Sequence, residues 1–357
     1  MRILHVADTH LGMRQYGLEV RRKDFSDAFQ QVIDAAIEEQ VDAVIHAGDL
    51  FDNRLPSMED LRDVFRQLSL LRNANIPFLG IVGNHESKRD AQWLDLFAQL
   101  GMAIHLNFEQ PYDLNGVPVY GVDYISRRQD EVHPPKVDGG ILVMHQLVNA
   151  KEVTPSGELA IRELFECGAK LILLGDYHEH QIWREGDVMI SYPGSTERVS
   201  TAERPRRGFT IFDYENLSLE RRELNTRRFT YLGTQKEPLA DPVAEFEALQ
   251  HLVKDAVTVI QPIHGTLTPR QLQEEGFKRE ALFVIVRRPQ DVMAEDEKSP
   301  TISQLQIEQL DGVISEEIEK REFSQLSADI DKVIRDPSVV DTKVDERITQ
   351  LLEEAGV

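Results

Sequence analysis

Five short apolar runs in this 357-residue sequence each end on Asp, His or Asn, and that repeated ending restricts the fold more than any other feature. The run 3–7 leads into Asp8 and His10, the run 41–47 into Gly48-Asp49, and the run 78–82 into Gly83-Asn84-His85. Further on, 141–144 leads into His145 and 171–174 into Gly175-Asp176-Tyr177-His178. Apolar, β-branched runs of this length read as strands buried on both faces. Between the first three, Phe25, Phe29, Val32, Ile33 and Ala36 recur at helical spacing, which predicts a helix over 24–39, and a second helix is expected over 58–71. The rhythm is that of a layered α/β fold with parallel strands. Ligands of open α/β sheets gather at the carboxyl ends of the strands, so the five polar endings are expected to converge on one cleft.

The runs 117–122, 188–192 and 209–214 are strand-like as well, and the later ones are spaced too closely for intervening helices, which predicts antiparallel pairing on that side. Near Asn225 the texture changes. A run at 227–232, a helix over 242–256 and a run at 281–287 predict a small α+β unit. The polar, acidic stretch 292–303 with Pro300 suits a linker. Ile314, Ile318, Leu326, Ile330, Val333 and Ile334 then keep helical spacing up to Asp336-Pro337, and Val344, Ile348, Leu351 and Leu352 mark a last short helix. The expected domains are 1–225, 226–291 and 292–357.

With 62 acidic against 40 basic side chains the net charge is −22, a poor overall balance for binding polyphosphate. Residues 294–357 hold 17 acids and only 7 bases, however, and divalent metals invert the local field wherever they bind. Eight arginines fall within 198–228 against five acids. They are either a solvated, salt-bridged pair of strands or a strip that tracks phosphates, with Arg198, Arg204, Arg206 and Arg207 nearest the cleft. The single Cys167 excludes an intrachain disulfide and any thiolate-caged metal, which suits a reducing compartment. No run approaches the ~20 apolar residues that span a bilayer, and no phosphate-binding Gly-x-x-x-x-Gly-Lys-Ser/Thr occurs.

Asp, His and Asn without a thiolate form a donor set for Mn²⁺, Fe or Zn²⁺. Asp8 and His10 are separated by one residue, so in extended backbone both leave on one side. Asp49, between the clusters, has two oxygens and can bridge. One ion is assigned to Asp8, His10, Asp49 and His178, a second to Asp49, Asn84, His145 and Asp176. Such a pair, about 3.5–4 Å apart, clamps the attacking and leaving oxygens of a phosphoryl displacement. His85, beside a ligand but not needed as one, is placed to meet the phosphate or protonate the departing oxygen. Asp52 either closes a turn or holds a ligating histidine. His5 and His46 read as packed or supporting groups, and His105, His133, His251 and His264 as surface histidines.

Asp8-x-His10, Gly48-Asp49-x-x-Asp52, Gly83-Asn84-His85-Glu86, His145 and Gly175-x-x-His178, in that order, resemble the calcineurin-like metallophosphoesterase superfamily. Three elements are most similar to the DNA double-strand-break repair nucleases of the Mre-eleven (bacterial SbcD) family, archaeal type. They are the opening Ile3-Leu4-His5-Val6-Ala7-Asp8-Thr9-His10-Leu11-Gly12, the box Gly48-Asp49-Leu50-Phe51-Asp52, and Tyr192-Pro193-Gly194-Ser195-Thr196-Glu197-Arg198. The resemblance covers 1–215 by motif and the remainder by layout. It implies a four-layered metallophosphoesterase β-sandwich flanked by helices, with a small α+β capping domain and C-terminal helices. It further implies two Mn²⁺ per subunit, with Mg²⁺, Fe or Zn²⁺ as the other metals such ligands admit, and 3′–5′ exonuclease and endonuclease action on double-strand DNA ends. The implied partners are a second copy of the chain and an SMC-like coiled-coil ATPase of the Rad-fifty type on the C-terminal helices; the implied place is the cytoplasm, at the nucleoid, with no membrane. One departure stands out. The superfamily's Gly-His-x-His is here Gly175-Asp176-Tyr177-His178-Glu179-His180: keeping the glycine in register puts Asp176 in the first histidine's place, and sliding by two makes His178 and His180 the pair. The first register keeps the ligand at the strand end and is preferred, with His180 as the alternative to Asp176. Rival readings are a phosphomonoesterase or cyclic-nucleotide phosphodiesterase on the same centre, or a scaffold without catalysis.

Overall fold

The computed structural model describes residues 1–87, 92–126, 132–154, 157–233, 252–260 and 281–286. Its strands are, in chain order, β1 Arg2–Val6, β2 Ala43–Ala47, β3 Phe78–Ile81, β4 Ile104–His105, β5 Tyr112–Leu114, β6 Val117–Val122, β7 Ile141–His145, β8 Val148–Asn149 and β9 Leu159–Ala160. They continue with β10 Leu171–Gly175, β11 Gln181–Glu185, β12 Val188–Tyr192, β13 Gly208–Asp213, β14 Ser218–Glu223, β15 Phe229–Leu232, β16 Val257–Ile260 and β17 Phe283–Val286. The helices are α1 Glu19–Glu38, α2 Met58–Asn73, α3 Trp93–Gln99 and α4 Ile161–Phe165.

Alternation along the strands builds the layers. In β1 and the residue after it, Ile3 and Ala7 turn to one face and Leu4 and Val6 to the other; in β10, Leu171 and Leu173 oppose Ile172 and Leu174. Two six-stranded sheets result, ordered β14-β13-β1-β2-β3-β4 and β11-β12-β10-β7-β6-β5. Ile3, Ile45, Leu79 and Ile81 of the first meet Ile141, Val143, Leu171 and Leu173 of the second in a dry inner layer. The outer face of the first sheet takes Phe29, Val32 and Ile33 of α1 with Val64 and Leu68 of α2, and the outer face of the second takes Leu164 of α4. Three apolar layers therefore separate four layers of structure, the calcineurin-like arrangement. Strands buried on both faces need no polar alternation, which explains their near-continuous apolar runs. A capping box starts α2: Ser57 Oγ accepts the Asp60 N–H at 3.2 Å while Asp60 accepts the Ser57 N–H at 3.0 Å.

Some expectations need correction. Helix α1 begins at Glu19, ahead of the expected 24. The later strands are antiparallel where β13 meets β1 and β14 and where β11 meets β12, but β10 is parallel to both β7 and β12. The crossover from β7 to β10 runs through α4, whose five residues are too few to show a helical period. Strands β11 and β14 were not expected; both are edge strands with charged outward positions. A third sheet, β15-β16-β17, is parallel throughout. The expected linker 292–303 and the C-terminal helices lie outside the described residues, as does most of the expected helix 242–256.

Candidate metal centre

The turns after β1, β2, β3, β7 and β10 meet at one end of the two sheets. His10 Nε2 and His178 Nε2 face each other at 3.2 Å. His145 Nε2 lies 3.4 Å from Asp49 Oδ2, 3.8 Å from Asp176 Oδ1 and 4.0 Å from Asp8 Oδ1. Asp8, His10 and His178 form one group with ligand atoms within 4.8 Å of one another, and Asp8, Asp49 and His145 form a second. The groups share Asp8, whereas the sequence reading gave the shared role to Asp49. His10, Asp52 and His85 make a third group at the rim.

The backbone is distorted to bring these side chains together. Asp8, His10, Asp49 and Asp176 have φ of 52°, 43°, 57° and 87°, in the left-handed region that non-glycine residues adopt only when the surroundings enforce it. Asp8 and His10 thus reach one pocket through consecutive tight turns, not through the alternation of an extended strand. Two glycines leave the necessary room. A Cβ on Gly83 would overlap the Asp49 carboxylate and backbone nitrogen, and one on Gly48 would overlap the His145 ring.

Hydrogen bonds then fix which atoms point inward. His145 donates from Nδ1 to the Ala47 carbonyl at 2.7 Å, which leaves Nε2 as the nitrogen available to a ligand. His178 donates from Nδ1 to Glu203 Oε1 at 2.8 Å, with the same result. Asp49 Oδ1 accepts the His85 backbone N–H at 3.0 Å, and both oxygens of Asp8 lie near the Asp176 N–H at 3.1 and 3.3 Å. His10 Nδ1, Asn84 Oδ1 and His145 Nε2 are buried and make no hydrogen bond. Buried polar atoms without partners are costly; Asn84 Oδ1 and His145 Nε2 point to an ion that would complete them, whereas His10 Nδ1 stands 3.7 Å from Asp52 Oδ1 on the rim side. The charge balance agrees. Burial and the other carboxylates raise Asp8 to about 6, and burial also raises Asp176, whereas His145 and His10 override the burial of Asp49 and hold it below the usual carboxylate range. Oxygen and imidazole donors around clustered buried carboxylates fit divalent cations of the Mn²⁺, Fe or Zn²⁺ type.

A raised Asp8 has a direct consequence. In the metal-free chain the folded state holds this proton more tightly than the unfolded state. Asp8's contribution to stability is therefore present at low pH and lost as pH rises from 3.8 through about 6. A cation competes with that proton. The rise in Tm on adding Mn²⁺ should therefore be large at pH 7.5 and much smaller at pH 5.5, and an increment equal at both values would remove Asp8 from the ligands.

The other expected site residues are placed as follows. Asp176 Oδ1 lies 3.8 Å from His145 Nε2, while His180 donates from Nδ1 to the Tyr192 carbonyl at 3.0 Å; neither of them, nor Asn84, belongs to one of the three ligand groups. Asp52 stands 3.7 Å from His10 Nδ1 and 3.9 Å from His85 Nδ1, and His85 donates from Nδ1 to the Asp52 carbonyl at 2.8 Å. The arginine strip is corrected. Arg207 is buried, with its N–H groups on the carbonyls of Pro205 and His178, on Ser195 Oγ and on Glu203. Arg198 is spent on the Glu203, Pro205 and Arg227 carbonyls and Thr226, and Arg204 lies over the Tyr231 ring; Arg206 is exposed and paired with Glu223. His46 bonds Thr9 Oγ1 at 3.0 Å, and His5 is buried between the sheets. His105 is no plain surface histidine: Asp95 and Asp123 clasp its two nitrogens at 2.7 and 3.0 Å and, against the opposing effect of burial, raise it to about 9. His133 is exposed and pairs with Glu163, while His251 and His264 lie outside the described residues.

Two supporting acids were given no role from sequence. Glu203 orients His178. Glu86 is buried and accepts the N–H groups of Leu50, Phe51 and Gly83 at 3.2, 3.1 and 3.4 Å, which pins the Asp49 turn to the Asn84 turn. Burial, with Asp49 nearby, raises Glu86 to about 7. Its signal was its place in Gly83-Asn84-His85-Glu86; Glu203 had none.

The calcineurin-like phosphoesterase family model matches residues 1–180. Curated proteins named DNA double-strand break repair protein Mre11 are similar over nearly the whole chain. That of Methanosarcina mazei is 35% identical over 365 residues, which cover 97% of this chain and 58% of the relative. That of Halobacterium salinarum is 34% identical, covering 99% and 94%. The Haloferax volcanii protein is 33% identical, covering 99% and 81%. The chain thus spans less than two thirds of the Methanosarcina relative's length and most of the two haloarchaeal ones. No helix among the described residues is long and apolar enough to cross a membrane.

Proposed function

The chain belongs to the calcineurin-like phosphoesterases, in their Mre11 double-strand-break repair branch, and from that membership we propose that it is a metal-dependent DNA phosphodiesterase. Its action would be that of a 3′–5′ exonuclease and endonuclease on double-strand ends. The observation that carries this reading is the pair of ligand groups joined at Asp8, with the buried Asn84 Oδ1 and His145 Nε2 left unbonded. Asp8, His10, Asp49 and His178 would hold one ion and Asp49, Asn84, His145 and Asp176 the other. Two Mn²⁺ fit this set, since a carboxylate at Asp176 in place of an imidazole shifts preference away from Zn²⁺. When bound, such ions supply Lewis acidity toward a phosphodiester and lower the pKa of water.

The chain's own residues do the remaining work. Ala47 and Glu203 hold His145 and His178 in the tautomer that presents Nε2. Glu86 keeps the Asp49 and Asn84 turns in register. His85, at the rim with its Nδ1 on the Asp52 carbonyl, keeps Nε2 for the substrate and in its imidazolium form can give that nitrogen's proton to a departing oxygen.

DNA would be met by Arg206 and the exposed rim, not by Arg198 or Arg207. Residues 1–225 would form the nuclease domain and 226–291 a cap. Residues 292–357 would bind an SMC-like coiled-coil ATPase, which would supply the P-loop that this sequence does not contain. A homodimer would use the core helices, where Met58, Phe65 and Leu70 of α2, Leu96 of α3 and Leu100 are exposed.

The test compares labelled duplex DNA with chromogenic monoesters, chromogenic diesters and cyclic nucleotides, all with Mn²⁺. Cleavage of the duplex is expected. Turnover of the small esters with the DNA left intact would favour a phosphomonoesterase or cyclic-nucleotide phosphodiesterase, and fewer than two bound ions with no turnover would favour a scaffold.

A further inference from the structure

The two ligand groups are anchored in different ways. The group around His145 is held from within the two large sheets, through the Ala47 carbonyl, the His85 N–H on Asp49 and Glu86. The group of Asp8, His10 and His178 is tied to the small sheet β15-β16-β17 at two places.

The first tie runs through Glu203. One oxygen accepts His178 Nδ1–H, the other accepts the Val199 N–H at 3.1 Å and Arg207 at 3.3 Å, and the Glu203 carbonyl accepts Arg198 Nε at 3.1 Å. Arg198 continues to Thr226 Oγ1 at 3.1 Å, just ahead of β15, and its guanidinium lies 5.4 Å from the centre of the Phe229 ring. Beside it, Arg204 sits 3.3 Å over the Tyr231 ring, and the Tyr231 hydroxyl donates to the Thr201 carbonyl at 2.9 Å. The second tie is on the His10 side. Six residues after His10, Tyr16 stacks on Phe283 of β17 with centroids 4.3 Å apart and planes 7° from parallel. Tyr16 holds φ of 61°, which a non-glycine residue keeps only under external constraint. Neither tie passes through Asp49, Asn84 or His145.

We propose that Glu203 is the positioning residue for His178, and that with Arg198 and the Tyr16–Phe283 stack it makes retention of the ion on the Asp8–His10–His178 side depend on the seating of the small sheet. The ion on the Asp49–His145 side is independent of that sheet. This rests on the two-ion reading above. A carboxylate that accepts the second N–H of a ligating histidine typically contributes ~10–100-fold in metal affinity, enough to make one of two ions conditional while the other persists.

The experiment titrates the full chain with Mn²⁺ and follows it by EPR, which separates isolated Mn²⁺ from an exchange-coupled pair, and by calorimetry. Glu203→Ala should weaken one ion by ~10–100-fold and leave the other unchanged, and Glu203→Gln, which keeps an acceptor without the charge, should restore part of the loss. Phe283→Ala, which touches no ligand, should weaken the same ion several-fold, so the coupled signal gives way to that of a single bound Mn²⁺. Arg198→Met is the second variant should Phe283→Ala not fold, and thermal melts establish folding for each. Equal weakening of both ions, or an unchanged titration in a folded Phe283→Ala or Arg198→Met chain, would overturn the inference while leaving the two-ion reading intact. A parent chain that binds fewer than two Mn²⁺ would overturn both.

Discussion

Asp49→Ala is expected to abolish binding of both ions and to lower DNA cleavage by ~10³-fold or more, the loss that follows when metal stabilisation of several kcal/mol is removed. Asp49 lies 3.4 Å from His145 and is the foremost charge acting on His10, so its carboxylate acts on ligands of both groups. It is also the one buried carboxylate of the three whose pKa is driven down, so it needs no bound cation to stay ionised. Asp8 is the competing bridge, because it belongs to both close groups. The two assignments separate cleanly. With Asp49 as the bridge, Asp49→Ala loses both ions and Asp8→Ala retains the one at Asp49, Asn84 and His145. Should calorimetry find one Mn²⁺ still bound to Asp49→Ala, the shared role passes to Asp8. The Mn²⁺-dependent rise in Tm should vanish together with the ions, which distinguishes a lost ligand from a lost catalytic group.

The five strand-end turns were legible in the sequence because each apolar run has a sharp polar end and a strand must deliver that end to one edge of the sheet. The path of the backbone within each turn was not. Alternation predicted that Asp8 and His10 share a face in extended backbone, whereas both have left-handed backbone held against the neighbouring Asp49 loop, through the Asp8 N–H on the Gly48 carbonyl and the His10 N–H on the Asp49 carbonyl. Arg207 read as a surface cation because nothing local shows that the His178 and Pro205 carbonyls come to surround it. Glu203 lies 25 residues beyond His178 with no spacing rule between them, and His105 looked ordinary because Asp95 and Asp123 approach it from different elements. Residue types marked the ligands; long-range folding chose their supports. The choice between Asp176 and His180 shows both at once, since the strand-end rule favoured Asp176 while the bond from His180 to Tyr192 depends on the return of β12.

His85→Ala should leave both ions in place and yet lower cleavage of ordinary DNA by ~10²-fold or more. The His85 side chain is 45% exposed, at the rim of a pocket whose other histidines are buried or nearly so. Its contribution to Asp49 is a backbone N–H, which alanine retains. Its ring meets His10 edge to face with centroids 4.7 Å apart, and Nδ1 is occupied by the Asp52 carbonyl, so Nε2 is the atom left to meet a substrate. A group that only protonates the leaving oxygen matters in proportion to how poor that leaving group is. The His85→Ala chain should therefore hydrolyse a p-nitrophenyl diester, whose leaving oxygen needs no proton, at close to the parent rate while failing on DNA. Equal losses on both substrates would make His85 a binding group for the phosphate, and an unchanged rate on DNA would remove it from the reaction. Loss of an ion in this variant would instead place His85 among the ligands, in the group it forms with His10 and Asp52.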